Sequence, residues 1–329
     1  MSTAAVLGAG SWGTTLAVHL AAAGHEVRLW GRDGAALDAL SAARENRKFL
    51  PGIVLPEKVK VELQLKVALS GAEITLFVVP SQAIRSVALE AARSGQKSLW
   101  VTASKGLELG TLKRLSEILA ETLGDPDPVV LAGPSHAEEV SRGVPTSIVA
   151  AARDESRSRG VQAILSTDRL RVYTNDDVAG CEYGAALKNV IAIAAGVCDG
   201  LDFGDNTKGA LLTRGLAEIA RLGVAMGGRR ETFFGLTGMG DLIATAMSRH
   251  SRNRHVGERI GRGEPLEKAL SEMVMVAEGV NTARAARDLG RSRGLELPIT
   301  EQVCAMLFDG RSPAAALKAL MTRDLKREG

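Results

Sequence analysis

The stretch VLGAGSWG near the N-terminus restricts the possible folds of this chain more than any other feature. Gly8, Gly10 and Gly13 stand at the spacing GxGxxG, directly after a short β-rich run and at the start of a helical pattern. In a βαβ unit this spacing provides a tight turn, close approach of the backbone to a pyrophosphate, and close packing of helix on strand. The free N–H groups at the start of the helix then face the phosphates. The stretch therefore predicts a dinucleotide site.

Strand and helix patterns continue to alternate through the first half of the chain. Runs such as HEVRLWG, EITLFVVP, KSLWVTAS and PVVLAG are separated by helical patterns, which is typical of a mostly parallel sheet with helices on both faces. RVYTNDD is the last β-rich run, and from Cys181 onward the pattern is helical. We therefore predict an α/β fold with a Rossmann-like, mostly parallel sheet domain over residues 1–180. An all-α domain over residues 181–329 would bind the substrate and carry catalysis.

Composition and charge exclude several classes of protein. The 41 Lys and Arg residues are interspersed with 38 Asp and Glu residues, so we expect small phosphates rather than nucleic acid as partners. Three cysteines without a CxxC pair indicate a reduced, intracellular protein. The N-terminus lacks the basic start of a signal peptide, and no membrane span is expected. We predict a cytoplasmic protein; a homodimer is compatible with the sequence, although no interface can be read from it.

The apolar helical pattern of residues 182–201 carries a lysine, Lys188, in its middle. Burying an ammonium group without a partner costs roughly several kcal/mol. On a helical wheel, small residues flank Lys188, whereas bulky residues such as Leu187 and Val190 lie on the far side. A helix that leaves space around a charge is expected to pack against ligands. A lysine that snorkels from an alanine-rich face is the alternative.

Arg32 and Asp33 follow the second β-rich run, where an acidic residue that binds the ribose of NAD normally lies. Arg32 could instead pair with a 2′-phosphate, which favours NADP or the use of both cofactors. Alternatively, Arg32 is a solvated residue at the start of a helix and Asp33 caps that helix. Ser81 and Ser135 are also placed as helix N-caps.

Six further motifs follow in order: ASKGLE, AGPSHAEE, ALKNVIAIAAGVCDGL, GLTGMGDLIAT, HSRNRHVG and VAEGVNT. In sequence and order, over nearly the whole chain, they resemble the bacterial NAD(P)-dependent glycerol-3-phosphate dehydrogenases. The resemblance implies reversible hydride transfer from NADH or NADPH to dihydroxyacetone phosphate. The product, sn-glycerol 3-phosphate, would supply phospholipid synthesis.

The resemblance also implies roles for individual residues, with Lys188 as the acid and base. The residues expected to contact the substrate are Lys105, Gly133, Ser135, Lys188, Asp241, Ser251, Arg252 and Asn253. Besides the three glycines, those expected to contact the cofactor are Ser11, Trp12, Arg32, Lys105, Ala137, Arg252, Val276 and Glu278. No metal site is expected, because His250 and His255 lack an accompanying carboxylate or cysteine cluster.

These residue types suit ketone reduction independently of the resemblance. Reduction builds negative charge on the carbonyl oxygen, so the site needs a cation and a proton donor, and a partly buried lysine supplies both. Asp241 can compensate and orient that ammonium. Arg252 offers the forked donor that a phosphate prefers. Simpler alternatives are a surface position for Lys105, a helix-capping role for Asp241 and a solvated basic face around Arg252.

Two other functions remain open from sequence. A β-hydroxyacid dehydrogenase or ketopantoate reductase would also pair a GxGxxG domain with a helical domain carrying a lysine, although with a different lysine–asparagine spacing. A non-enzymatic dinucleotide sensor would keep the fold and lose the chemistry, which predicts erosion at Lys188, Asp241 or Arg252. One departure from the family pattern is Gly209, where a small Ala is expected.

Overall fold

The computed structural model describes residues 2–325 and 327. Its strands are β1 Thr3–Leu7, β2 Glu26–Trp30, β3 Val59–Glu62, β4 Ile74–Phe77, β5 Leu99–Thr102, β6 Val129–Ala132, β7 Thr146–Ala151 and β8 Leu170–Asn175. Its helices are α1 Ser11–Ala22, α2 Gly34–Ala43, α3 Leu65–Leu69, α4 Ile84–Ala92, α5 Leu115–Leu123, α6 Ala137–Val140, α7 Glu155–Leu165, α8 Val178–Gly200, α9 Asp205–Ala225, α10 Arg230–Phe233, α11 Asp241–Met247, α12 Arg252–Gly261, α13 Leu266–Ser271, α14 Glu278–Ser292, α15 Pro298–Phe308 and α16 Pro313–Met321.

The eight strands form one sheet in the order β3-β2-β1-β4-β5-β6-β7-β8. Every neighbouring pair is parallel except β6 and β7, which confirms the mostly parallel sheet. Two strands, β3 and β7, lie outside the runs that the pattern predicts. Strand β3 is an edge strand with polar alternate residues and only Val59 fully buried, so its hydrophobic signal is weak. Strand β7 is a short apolar run, and hydrophobic periodicity alone cannot assign such a run to a strand rather than a helix.

After β8 the described residues form helices and turns and no further strand, which confirms the helical second half. Helix α8 begins at Val178, and only two residues separate it from the end of β8 at Asn175. The division between residues 180 and 181 stays a prediction. Helix α8 has the length and hydropathy of a membrane span, but 94% of its apolar window is buried within the protein. Burial of this kind is also found in the core helices of soluble proteins.

Close contact between α8 and α12 depends on glycines four residues apart on both helices. A Cβ atom at Gly196 of α8 would lie 1.9 Å from the carbonyl oxygen of Arg254, and one at Gly257 of α12 would lie 1.9 Å from that of Ile193. Side chains would therefore force the two backbones apart. Since α12 begins at Arg252, this contact brings its N-terminus to the helix that carries Lys188.

Replacing Gly257 with alanine should therefore destabilise the protein. We expect G257A to lower the free energy of unfolding by about 1–3 kcal/mol, the range typical of overpacking. The matched control is G209A in α9, because a Cβ atom at Gly209 meets open space and alanine favours a helix by up to about 1 kcal/mol. Chemical denaturation of both variants tests this, and equal stability of the two would contradict the packing role of Gly257.

Candidate active site

A cleft of about 770 Å³ lies beyond the carboxyl ends of the parallel strands. Its walls include residues that directly follow β1, β2, β4 and β5, namely Gly8, Gly31, Val78 and Ala103. Ligands of open α/β sheets bind at this edge. The helical half closes the other side of the cleft, which brings the glycine turn and Lys188 into one cavity.

The glycine turn has the geometry that a dinucleotide requires. Gly8 has a φ of +130°, and a Cβ atom there would lie 2.4 Å from the carbonyl oxygen of Val78. A Cβ atom at Gly13 would lie 1.8 Å from the carbonyl oxygen of Gly8, whereas Gly10 faces open space. Helix α1 starts at Ser11 without a side-chain cap, so its first N–H groups are free for an anion. These residues fit the pyrophosphate of a dinucleotide.

A side chain that the sequence analysis overlooked supports this turn. The amide nitrogen of Asn46 donates to the carbonyl oxygen of Ala9 at 2.9 Å and to the hydroxyl of Thr14 at 2.7 Å. Asn46 lies in an irregular segment after α2, and no periodic pattern indicates such a contact.

Of the interpretations that the sequence leaves open for Arg32 and Asp33, the structure shows the capping role of Asp33. The Asp33 carboxylate accepts a hydrogen bond from the N–H of Ala36 at 3.1 Å, so Asp33 caps α2. Arg32 is exposed on the cleft wall and donates to the hydroxyl of Ser86 at 2.5 Å. Its guanidinium is therefore accessible to a ligand in the cleft.

Asp241 links two lysines at the floor of the cleft. One carboxylate oxygen lies 2.9 Å from Nζ of Lys188, and the other lies 2.8 Å from Nζ of Lys105. Lys188 also donates to the hydroxyl of Thr245 at 2.5 Å, and Lys105 donates to the carbonyl oxygen of Gly133 at 2.7 Å. Although Asp241 is the first residue of α11, it does not cap that helix, because both of its oxygens serve the lysines.

Burial and charge set the protonation of this group. Burial lowers the pKa of Lys188 to about 8, an effect that Asp241 opposes and Lys105 strengthens. Burial alone would raise the pKa of Asp241, but the two ammonium groups outweigh it, so this pKa lies below its ordinary value. Asp241 therefore stays ionised, while Lys188 exchanges its proton near neutral pH.

The N-terminus of α12 provides a second polar wall. Ser251 caps the helix by accepting from the N–H of Arg254 at 3.2 Å, and Arg252 lines the cleft while donating to the carbonyl oxygen of Val276 at 2.8 Å. Asn253 donates to the side chain of Asn189 at 2.8 Å and accepts from the N–H of Gly279 at 2.9 Å. These bonds fix the side chain of Asn253, while the guanidinium of Arg252 stays on the wall of the cleft.

Two of the expected capping roles are wrong. The hydroxyl of Ser135 turns back to the carbonyl oxygen of Gly133 at 3.0 Å, and α6 starts after His136 instead. Gly133 has a φ of +127°. Its carbonyl oxygen accepts hydrogen bonds from both Lys105 and Ser135 and so orients the two side chains. Ser81 begins a 3₁₀ turn, and its N–H and hydroxyl donate to the Glu278 carboxylate.

The remaining predicted cofactor residues also lie on the cleft: Ser11, Trp12, Ala137, Val276 and Glu278. Glu278, at the start of α14, joins the helical half to Ser81 of the sheet half, and burial raises its pKa. Thr245, which the sequence analysis missed, lies four residues after Asp241 on α11, so helical spacing could have indicated it. Within the described residues, no group of three or more His, Cys, Asp and Glu side chains is placed to hold a metal ion.

Comparison with known proteins identifies relatives over the whole chain. A model of the NAD-dependent glycerol-3-phosphate dehydrogenase N-terminus matches residues 3–158, and one of the C-terminus of the same family matches residues 177–318. A glycerol-3-phosphate dehydrogenase of Desulfitobacterium hafniense (strain Y51), named for NAD(P)+, is 50% identical over 100% of this chain and 93% of its own length. A second from Salinibacter ruber (strain DSM 13855 / M31) is also 50% identical, over 100% of this chain and 97% of its own.

Solved structures agree with these relatives. The crystal structure of glycerol-3-phosphate dehydrogenase from Coxiella burnetii has a TM-score of 0.94 at 37% identity and covers 98% of this chain and 99% of its own. A ketopantoate reductase from Ralstonia eutropha JMP134 has a TM-score of 0.62 at 17% identity, over 97% of this chain and 100% of its own, and shares the fold alone. The chain belongs to the NAD-dependent glycerol-3-phosphate dehydrogenase family.

Proposed function

We propose that this protein reduces dihydroxyacetone phosphate to sn-glycerol 3-phosphate with NADH or NADPH, reversibly, and so supplies glycerol phosphate for phospholipid synthesis. The observation that carries the proposal is the pair of lysines on Asp241, at 2.9 Å and 2.8 Å, in the same cleft as the dinucleotide turn. The direct test is loss of NADPH absorbance when dihydroxyacetone phosphate is added to the purified protein. Ketopantoate is the comparison substrate and should give no turnover.

The glycine turn and the start of α1 are proposed to hold the cofactor pyrophosphate, with Arg32 near the adenosine ribose. A nicotinamide bound in the cleft supplies the hydride for reduction and takes it up for oxidation. Lys188 and Asp241 are buried at this end of the cleft, where electrostatic interactions are stronger than in bulk water.

Lys188 is proposed to act as the acid and base. In reduction its ammonium gives a proton to the carbonyl oxygen of the substrate, and in oxidation the neutral amine accepts the proton of the C2 hydroxyl. A pKa of about 8 suits both directions, because a proton donor works best when its pKa lies near the working pH. Lys105 adds a second positive charge that stabilises the developing oxyanion. Asp241 keeps the two ammonium groups oriented.

The N-terminus of α12 is proposed to bind the substrate phosphate. Arg252 offers a charged fork, Ser251 a hydroxyl and Asn253 a second amide hydrogen, and the start of a ten-residue helix favours an anion. A phosphate there would leave the three-carbon chain within reach of Lys188, since α8 and α12 are in backbone contact.

The two other functions that the sequence left open are not supported by a specific observation. A sensor without chemistry would not need Lys105 and Lys188 paired with one buried carboxylate. A 2-keto acid substrate would need a carboxylate site in place of the phosphate site at α12. The cytoplasm is our proposed compartment, because all three cysteines are buried free thiols, as a reducing compartment allows.

Replacing Lys188 with alanine tests its proton transfer. We expect K188A to lower kcat for reduction by about 10²–10⁴-fold, with NADPH affinity changed by no more than a few-fold. In the wild type, reduction should slow as the pH rises through about 8 and oxidation should accelerate; K188A should lose this step. Exposed Lys97 provides the control K97A, and a K188A enzyme that retained half of its kcat would refute the role.

Replacing Arg252 with alanine tests the phosphate site. Because the phosphate would lose its charged partner, R252A should raise KM for dihydroxyacetone phosphate by about 30- to 700-fold, equivalent to about 2–4 kcal/mol. Exposed Arg249, three residues earlier, provides the control R249A, which should leave KM unchanged. Steady-state kinetics measures both, and an unaltered KM in R252A would argue against phosphate binding there.

Replacing Arg32 with alanine tests recognition of the 2′-phosphate. R32A should lower the preference for NADPH over NADH, because a charge-assisted contact to the phosphate is lost, and fluorescence titration with each cofactor measures the two affinities. R93A, at exposed Arg93 beyond α4, is the control. An unchanged ratio of the two affinities would leave Arg32 as a solvated residue.

A further inference from the structure

Lys105 lies on a segment that has little regular structure of its own. Residues 103–114 connect β5 to α5, and the described structure there is a single bridge between Leu107 and Arg114. A lysine side chain loses substantial rotamer entropy when it is fixed. The 2.8 Å contact of Lys105 with Asp241 therefore requires that other elements of the protein hold residues 103–114 in place.

A buried ion pair holds the end of this segment on α8. Arg114 donates to Glu182 of α8 at 2.9 Å, and the two side chains are only 11% and 6% exposed. Arg114 also pairs with Glu117 at 2.9 Å, and its guanidinium lies 5.9 Å from the ring of Tyr183. Glu182 stands six residues before Lys188 on the same helix.

The Glu182 carboxylate also caps α5 from outside that helix. It accepts the N–H of Ser116 at 2.9 Å and the hydroxyl of the same residue. The N–H groups of a first turn have no partner within the helix, and a carboxylate at this end is favoured by the helix dipole. Glu182 therefore fixes both the Arg114 side chain and the start of α5.

Apolar contacts and Gln82 hold the part of the segment that lies next to Lys105. Leu107, two residues after Lys105, is fully buried in the cluster that contains Tyr183 and Leu187 of α8. Gln82 donates to the carbonyl oxygen of Leu107 at 2.8 Å. Gln82 belongs to the sheet half, as does Arg85 of α4, which pairs with Glu108 at 2.8 Å. The contacts of the segment with the helix that carries Lys188 are therefore those of Leu107 and Arg114.

We propose that Glu182 is a positioning residue: through Arg114 and Ser116 it holds the Lys105 segment on α8 and so fixes Lys105 relative to Lys188 and Asp241. The kinetic part of this inference rests on the proposed function. The placement of Lys105 does not, and it can be measured without turnover.

The variant E182Q tests the proposal. Its amide keeps the shape of the side chain but loses the charge and one of the two acceptor oxygens, so an NH2 group faces either the N–H of Ser116 or the pair of donors from Arg114 and the Ser116 hydroxyl. Glu117 still pairs with Arg114. We expect Lys105 to leave Asp241, so its acetylation by acetic anhydride, read by peptide mass spectrometry, should become several-fold faster relative to exposed Lys97. This readout remains valid even if dihydroxyacetone phosphate is not the substrate.

Kinetics of E182Q give a second readout. We expect kcat/KM for dihydroxyacetone phosphate to fall by about 10²-fold, as for a misplaced catalytic group, with NADPH affinity within a few-fold of the wild type. The pH midpoint of reduction should rise, because Lys105 no longer opposes protonation of Lys188. The other charged or titratable groups that act on Lys188, namely Asp241, Arg252 and His136, stay in place.

The matched control is E218Q. Glu218 is a buried carboxylate of α9 that caps α15, accepting the N–H groups of Ile299 at 2.5 Å and Thr300 at 3.2 Å. E218Q should reduce stability while leaving Lys105 labelling and the pH midpoint unchanged. If E182Q does not fold, S116A removes one of the three bonds to Glu182 and should move both readouts in the same direction. A folded E182Q or S116A with wild-type labelling and midpoint would show that Glu182 only stabilises the fold.

Discussion

The carboxylate of Asp241 is the interaction on which the rest of the site depends. Asp241 is 1% exposed and touches an ammonium from each half of the molecule, Lys105 from the segment after β5 and Lys188 from α8. The buried ammonium of Lys188 and the partly buried ammonium of Lys105 would repel each other and lose hydration. The shared carboxylate offsets both effects, but it leaves one net positive charge for a substrate anion. Burial keeps the pKa of Lys188 at about 8, so this cation can also release a proton.

Helix α8 provides the frame that brings the other groups to Asp241. Its glycine face allows α12 to approach until backbone meets backbone at Gly196 and Gly257, which places the proposed phosphate site beside Lys188. Its other faces fill the helical core. An almost completely buried helix can hold several neighbouring elements at fixed distances, because close-packed protein interiors have low compressibility.

The fold of this protein does not by itself indicate the substrate. A ketopantoate reductase shares the architecture at 17% identity, and its similarity carries no information on substrate. In our proposal, side chains that line the cleft select the substrate, since a common fold accommodates many chemistries. Arg252 and the start of α12 are proposed to bind a phosphate, and the two lysines on Asp241 are proposed to bind a carbonyl.

Sequence alone determined the mostly parallel sheet, the glycine turn and the helical second half, because hydrophobic periodicity and GxGxxG spacing are local properties of the chain. It also indicated Lys188, whose charge conflicts with its apolar surroundings. Only the tertiary structure decided that Ser135 and Ser81 do not cap helices, that Thr245 and Asn46 support the site, and that Asp241 serves two lysines. Those contacts join residues distant in the chain, such as Lys105 and Asp241, and no local pattern records which distant groups will share one buried carboxylate.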